Sequence, residues 1–322
     1  MMSEKQERTI VVGTRQSALA LTQTGQVIDQ LEAICKTNGL PYTFEIRKII
    51  TKGDRILDVT LSKVGGKGLF VKEIEGALLE GDIDLAVHSM KDMPYKFPEG
   101  LINGAIPKRV SPFDCLIMKE GDSLEALPSG ARVGTSSLRR SSQLKHLRPD
   151  LKLESIRGNI DSRIRKLKEE GFDAIVLAEA GLSRMGWEGK ISATLSSDIC
   201  VPAVGQGALG IQCRENDSAV KELLALLNDT DTELAVRCER SFLGTLQGGC
   251  QVPLGAYAVI AKRDEEGPLM EMTGMVGHPD GSLLLKETLQ GRNPEQLGKL
   301  IAEKLIERGA DAILAEFGGE HE

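Results

Sequence analysis

A strand-to-helix phrase is written twice in this chain. Val12-Gly13-Thr14-Arg15-Gln16-Ser17 returns as Val133-Gly134-Thr135-Ser136-Ser137. Downstream of each copy, Glu80-Gly81-Asp82-Ile83-Asp84-Leu85-Ala86-Val87 is echoed by Glu170-Gly171-Phe172-Asp173-Ala174-Ile175-Val176-Leu177. Two echoes in one order point to paired domains of a single architecture with equivalent corners. At each corner an apolar run precedes a serine set to cap a helix, so backbone N–H groups at the helix start form a ready anion site.

The surrounding pattern is α/β grammar. Strands are predicted at 9–14, 42–51 and 83–88, a helix capped by Ser17 runs to about Thr37, and another spans 69–80. The grammar restarts with strands at 132–135, 151–156 and 173–178 and helices at 137–147 and 160–170. A strand at 208–213 and helices at 218–227 and 232–246 follow, then strands at 255–260, 269–277 and 282–289 and a helix from Pro294 to about Arg308. The expectation is two α/β domains plus a small C-terminal α+β domain with a three-stranded antiparallel sheet. The domains divide as 1–107 with 208–228, 113–201, and 229–322.

Charge narrows the ligand. Residues 131–168 hold eleven Lys/Arg against three Asp/Glu, a local +8 in a chain of net −7, which leaves −15 elsewhere. That concentration points to an anion. No Phe, Tyr or Trp lies in the segment to stack on bases, so a compact polycarboxylate or phosphate fits better than nucleic acid. No apolar run approaches a membrane span, and the charged opening at 1–8 lacks the hydrophobic stretch of an export signal; a cytoplasmic protein is expected.

Several motifs fail on context. Gly205-Gln206-Gly207-Ala208-Leu209-Gly210 matches GxGxxG, but a strand follows it where dinucleotide binding needs a helix. Val64-Gly65-Gly66-Lys67-Gly68 lacks Walker spacing and reads as a mobile loop near an anion. The six cysteines contain no CxxC pair and the four histidines no metal-ligand spacing, so no metal is expected and His88 reads as a satisfied strand-end residue. Asp92 follows an apolar strand at the end where α/β folds bind ligands; function, a helix cap and a Lys91 ion pair all stand as readings. Cys250, between Gly248-Gly249 and Pro253, sits on a tight exposed loop that is equally compatible with a reactive and an inert thiol.

Seven motifs in order resemble the porphobilinogen deaminase (hydroxymethylbilane synthase) family: Thr14-Arg15-Gln16-Ser17, Lys63 to Phe70, His88-Ser89-Met90-Lys91-Asp92, Gly134 to Arg140, Arg157-Gly158-Asn159, Pro202 to Gly207 and Gly248 to Pro253. The resemblance runs from about residue 8 to 317. One departure is Ala18, where some relatives carry proline; it touches helix entry, not chemistry. The resemblance implies two periplasmic-binding-protein-like domains flanking a cleft, and a third carrying a dipyrromethane cofactor by a thioether to Cys250. It implies cofactor contacts for Lys91, Ser137, Arg139, Arg140 and Arg163. Substrate contacts are implied for Arg15, Ser17, Arg157, Arg184, Gln206, Lys63 and Phe70.

The implied reaction deaminates porphobilinogen, joins four units head to tail and hydrolyses off hydroxymethylbilane. Asp92 matches the residue that would stabilise the azafulvene cation left when ammonia departs. Each pyrrole carries an acetate and a propionate, and the +8 segment is their counterweight. The expected partner is porphobilinogen, met by a monomer with neither nucleic acid nor membrane. The alternatives are a non-enzymatic anionic-solute-binding protein, suggested by the paired domains, and a nucleic-acid binder, suggested by the basic segment.

Overall fold

The computed structural model describes residues 7–55, 70–247 and 252–317. In chain order the strands begin with β1 (Arg8–Arg15), β2 (Tyr42–Ile49), β3 (Leu85–Ser89) and β4 (Leu101–Ala105). There follow β5 (Asp114–Met118), β6 (Arg132–Gly134), β7 (Lys152–Glu154), β8 (Ala174–Ala178) and β9 (Ala193–Leu195). Then come β10 (Leu209–Arg214), β11 (Leu254–Asp264), β12 (Gly267–Gly277) and β13 (Leu284–Gly291). Two compact units result, and the chain passes between them at 109/110, 207/208 and 233/234.

The first unit is built on a five-stranded sheet of order β2-β1-β3-β10-β4. Strands β2, β1 and β3 are parallel; β10 runs antiparallel to both β3 and β4. The helix Ala18–Asn38 turns Thr24, Val27, Ile28, Leu31 and Cys35 inward at three-to-four-residue spacing, one stripe of a 3.6-residue period. Ser17 caps it as expected, accepting from the Ala20 N–H at 3.3 Å, and Gly39 closes it in the left-handed conformation. A carboxylate–guanidinium network then ties the earliest strand to the latest. Arg8 reaches Asp84 at 2.6 Å and Asp217 at 2.7 Å, and Arg214 reaches the same two at 3.0 and 3.3 Å.

The second unit holds a sheet of order β7-β6-β8-β5-β9 with the same pattern of directions. The slot that β10 fills in the first sheet is filled here by β5. The repeat in the sequence is thus a repeat of topology: Ser137 caps the helix Leu138–Leu147 after β6 as Ser17 caps its helix after β1. The same unit contains the antiparallel sheet β11-β12-β13, covered by the helices Pro294–Glu307 and Ala310–Phe317 over a core that includes Phe242, Met270, Met272 and Ile301. β11 and β12 run longer than their apolar cores predicted, pairing out to Asp264 and Gly267 across Glu265-Glu266. β4, β5, β9 and the helix Glu179–Arg184 were not anticipated. β5 is buried at all five positions, so it shows no alternation to mark it, while Asn103 and Gly104 interrupt β4.

Within the second unit the two connecting segments pass backbone to backbone. Val110 N–H donates to Gly207 O at 3.3 Å. Gly207 has φ +86, and a Cβ there would lie 2.6 Å from Val110 O and 2.7 Å from Ser111 O. This explains the GxGxxG decoy, since its glycine serves a chain crossing. Among the described residues, no helix is long and apolar enough to cross a membrane. Gly207→Ala should destabilise the fold by about 2 kcal/mol or more, combining left-handed strain with backbone overlap. Gly39→Ala, at φ +61 with nothing within 4 Å, should cost about 1 kcal/mol. Thermal denaturation of the two variants compares them directly, and equal shifts would remove the crossing from the account.

Candidate functional site

In the first unit the site residues gather at the carboxyl ends of the parallel strands. β1 ends in Arg15, whose Nε donates to Asp54 at 3.1 Å and whose guanidinium lies 4.1 Å from the centre of the Phe70 ring. Asp54 is itself fixed by Thr51 Oγ1 at 2.8 Å. Burial alone would raise its carboxyl, but hydrogen bonds from Arg15 and Thr51 and the Arg15 charge hold it below the usual carboxylate range. Phe70 therefore meets Arg15 by cation–π contact. β3 runs into a one-turn 3-10 helix, Met90–Asp92, that carries Lys91 and Asp92 half-buried. Its footing is apolar: Met90 and Met93 are each 2% exposed, and Met90 N–H bonds to Ala208 O at 3.0 Å.

His88 departs from expectation. It is buried at the strand end, and burial pushes its pKa down to about 4, but its Nε2 has no hydrogen-bond partner among the described residues. The satisfied histidine expected from the sequence is therefore not what the structure shows at Nε2.

In the second unit the arginines of the Ser137 corner converge on a carboxylate that sequence reasoning missed. Asp114, with no exposed surface, accepts from Arg139 Nη1 and Arg140 Nη2, each at 2.7 Å, and from Gln206 Nε2 at 2.9 Å. Burial would raise its carboxyl, but the two guanidinium charges outweigh that and hold it far below the usual range. Arg139 also donates to Val201 O, Arg140 to Val176 O, both at 2.8 Å, and Gln206 to Pro112 O at 2.7 Å. Arg163, half-buried, donates from Nε to Gly158 O at 2.7 Å. Burial first, and then the charges of Arg140 and Arg157, push it down to about 10. Arg184 is buried, bonds to Gly207 O at 2.8 Å and is pushed down to about 10 by burial.

The structure thus brings together Arg139, Arg140 and Gln206 on one carboxylate, and places Arg163 where the charges of Arg140 and Arg157 reach it. Ser17 and Ser137 act as helix caps, Arg15 and Phe70 form a stack, and Lys91 and Asp92 share a corner. Lys63 and Cys250 lie outside the described residues. Asp54 and Asp114 are the omissions. Thr51-x-x-Asp54 is a capping-box spacing, with Asp54 N–H on Thr51 Oγ1 and Thr51 N–H on Asp54, and could have been found. Asp114 opening a wholly apolar run is the signal of a partnered buried acid. Chemically, the second unit offers guanidinium groups to carboxylates, and the first offers the Asp92 carboxylate.

Comparison with known proteins gives two family matches. The family model described as porphobilinogen deaminase, dipyromethane cofactor binding domain, matches residues 10–222, and that described as porphobilinogen deaminase, C-terminal domain, matches residues 233–307. Porphobilinogen deaminase of Paenibacillus macerans is 59% identical over 94% of this chain and 98% of that protein. The Bacillus cereus protein of the same name is 58% identical over 98% and 100%. Among solved structures, a putative methionine-binding lipoprotein from Bacillus subtilis covers 68% of this chain and 89% of its own at TM-score 0.43 and 14% identity.

The burial of Arg163 beside other cations has a measurable consequence. Arg163→Gln removes a desolvated cation beside two others, so the melting temperature should hold or rise while affinity for a small polycarboxylate falls about tenfold or more, the scale of one charged hydrogen bond. Calorimetry paired with anion titration tests this. Loss of stability with unchanged anion affinity would make Arg163 a structural group.

Proposed function

Because the chain belongs to the porphobilinogen deaminase family, we propose how its own residues divide the work of that enzyme. The chain is a transferase of tetrapyrrole biosynthesis that deaminates porphobilinogen, joins four units head to tail and releases hydroxymethylbilane, and it contains the dipyrromethane-binding domain. When bound, the dipyrromethane supplies the pyrrole carbon at which the chain grows. The residues present fit such a group, because two guanidinium groups, Arg139 and Arg140, meet the single buried carboxylate of Asp114 and leave an excess of positive charge, and Arg163, pushed down first by burial and then by the charges of Arg140 and Arg157, gains from a carboxylate partner. This excess of positive charge is the single observation that carries the reading. A solute-binding alternative is not favoured by relatives matching nearly end to end.

Arg139, Arg163, Ser137 and Lys91 hold the cofactor's carboxylates, Arg140 attracts them through its charge while its donors stay on Asp114 and Val176, and Cys250 is the covalent anchor. Arg157, Arg184, Gln206, Arg15, Ser17, Lys63 and Phe70 receive porphobilinogen and the growing chain. Guanidinium forks suit acetate and propionate bidentately, and the capped helix starts add oriented N–H dipoles. Asp92 faces the pyrrole N–H of the substrate and stabilises the positive charge that develops there as ammonia leaves. Its rigid apolar footing on Met90 and Met93 supports that role, because a preorganised carboxylate needs no reorganisation as charge appears. The chain divides as 1–107 with 208–228, 113–201 and 229–322, supported by separate hydrophobic cores around β1, β8 and β12. The enzyme works as a cytoplasmic monomer on a small anion, without nucleic acid or membrane, in keeping with a basic segment that has no aromatic platform.

Intact-protein mass tests the anchor. The wild type should carry an excess equal to two linked pyrroles, and Cys250→Ser should fold without it and make almost no product. Persistence of the excess on Cys250→Ser would move the attachment elsewhere.

Asp92→Asn keeps size but removes the charge, so a loaded variant should add porphobilinogen ~100-fold or more slowly in single turnover. Asp92→Glu should recover part of the rate. Near-normal addition by Asp92→Asn would leave this carboxylate with a structural role only.

A further inference from the structure

Resting on the reading that the second unit receives the carboxylates of substrate and cofactor, we infer that Asp114 is a positioning residue for that site. Its carboxylate orients Arg139, Arg140 and Gln206 as a set and ties them to the connecting segments at 110–112 and 201–207. A fully buried carboxylate persists only when each oxygen is paired. Here Oδ2 accepts from Arg139 Nη1 and, at 3.4 Å, from the Cys200 thiol; Oδ1 accepts from Arg140 Nε at 3.1 Å, Arg140 Nη2 and Gln206 Nε2.

The second contacts of these donors reach the connecting segments. Gln206 reaches Pro112 O, and Arg139 reaches Val201 O. The two arginines use their donors differently. Arg139 spends only Nη1, so its Nε and Nη2 have no partner among the described residues and form an edge suited to an incoming carboxylate. Arg140 spends Nε, Nη1 and Nη2 on Asp114 and Val176 and contributes through its charge, which Arg163 feels. One carboxylate against two guanidinium groups leaves the cluster cationic while removing its freedom to swing. Asp114 touches neither substrate nor reacting atom in this account; it acts through the arginines it holds.

The test compares Asp114→Glu, which keeps the charge and displaces it by one methylene, with Asp114→Asn, which removes it. Each is followed by intact mass, melting temperature and steady-state kinetics with porphobilinogen. Asp114→Glu should still show the two-pyrrole mass excess, with KM for porphobilinogen raised about tenfold and kcat within about twofold. Asp114→Asn should be isolated without the excess and should not gain it from preformed tetrapyrrole. A lowered melting temperature with normal loading and unchanged KM in Asp114→Glu would show a purely structural carboxylate and overturn the inference. If Asp114→Asn is insoluble, the KM of Asp114→Glu decides alone. A wild-type protein lacking both mass excess and product would overturn the functional reading and this inference together, whereas a normal wild type with an unchanged Asp114→Glu KM overturns only the latter.

Discussion

A carboxylate withdrawn wholly from water between two guanidinium groups sets the terms for the second unit. Desolvating three charges is expensive, and such clusters contribute little net stability compared with apolar packing of the same volume. What they supply is geometry, since removing the shared carboxylate leaves two buried cations uncompensated. The Asp114 cluster fixes the start of β5, the first turn of the helix after Ser137 and the segment at 201–207, which turns at 204–207, in one stroke. The first unit uses a looser version of the same device. Arg15 is held by Asp54 and stacked on Phe70, with a quarter of its side chain exposed. In both units, arginines suited to carboxylates have surrendered rotamer freedom before a ligand arrives, which lowers the entropic cost of binding.

The opposite choice is visible at Arg163. There burial, and after it the charges of Arg140 and Arg157, push a half-buried guanidinium down to about 10. Local conflict of this kind concentrates at binding sites. Neutral His88, whose buried Nε2 has no partner among the described residues, is a second local conflict, on the strand that leads into the 3-10 helix carrying Lys91 and Asp92. Such conflicts are tolerated because the two β-sheets beneath them are otherwise consistent from propensity through packing.

Much of this architecture was legible in the sequence because it is local. The phrase ending in Ser17 and its copy ending in Ser137 announce a strand, a cap and a helix within a few residues, and both caps are present. The three-stranded sheet was readable from its alternation, though its hairpin extends past the charged Lys262 and Arg263. The omissions share one physical cause. Asp114 lies 25 residues from Arg139 and Asp54 lies 39 from Arg15, so the pairings that give these acids meaning exist only after folding. β5 was missed because complete burial erases the polar half of the strand pattern. The assignments of Cys250 and Lys63 rest on sequence alone, since both lie outside the described residues.

The place of β10 has a consequence for how the protein is made. On the ribosome the chain emerges from its N-terminus, yet the first sheet needs residues 209–214 between β3 and β4 before it can close. The second sheet draws all its strands from 114–195 and can close while the first still waits. Synthesis order and completion order are therefore reversed. Throughout that interval the apolar strand Leu85–Ser89 has an open edge and β4 has no neighbour at all. An unpaired apolar edge invites pairing with other nascent chains. The crossed connectivity thus leaves the edges of β3 and β4 open until residues 209–214 have been made.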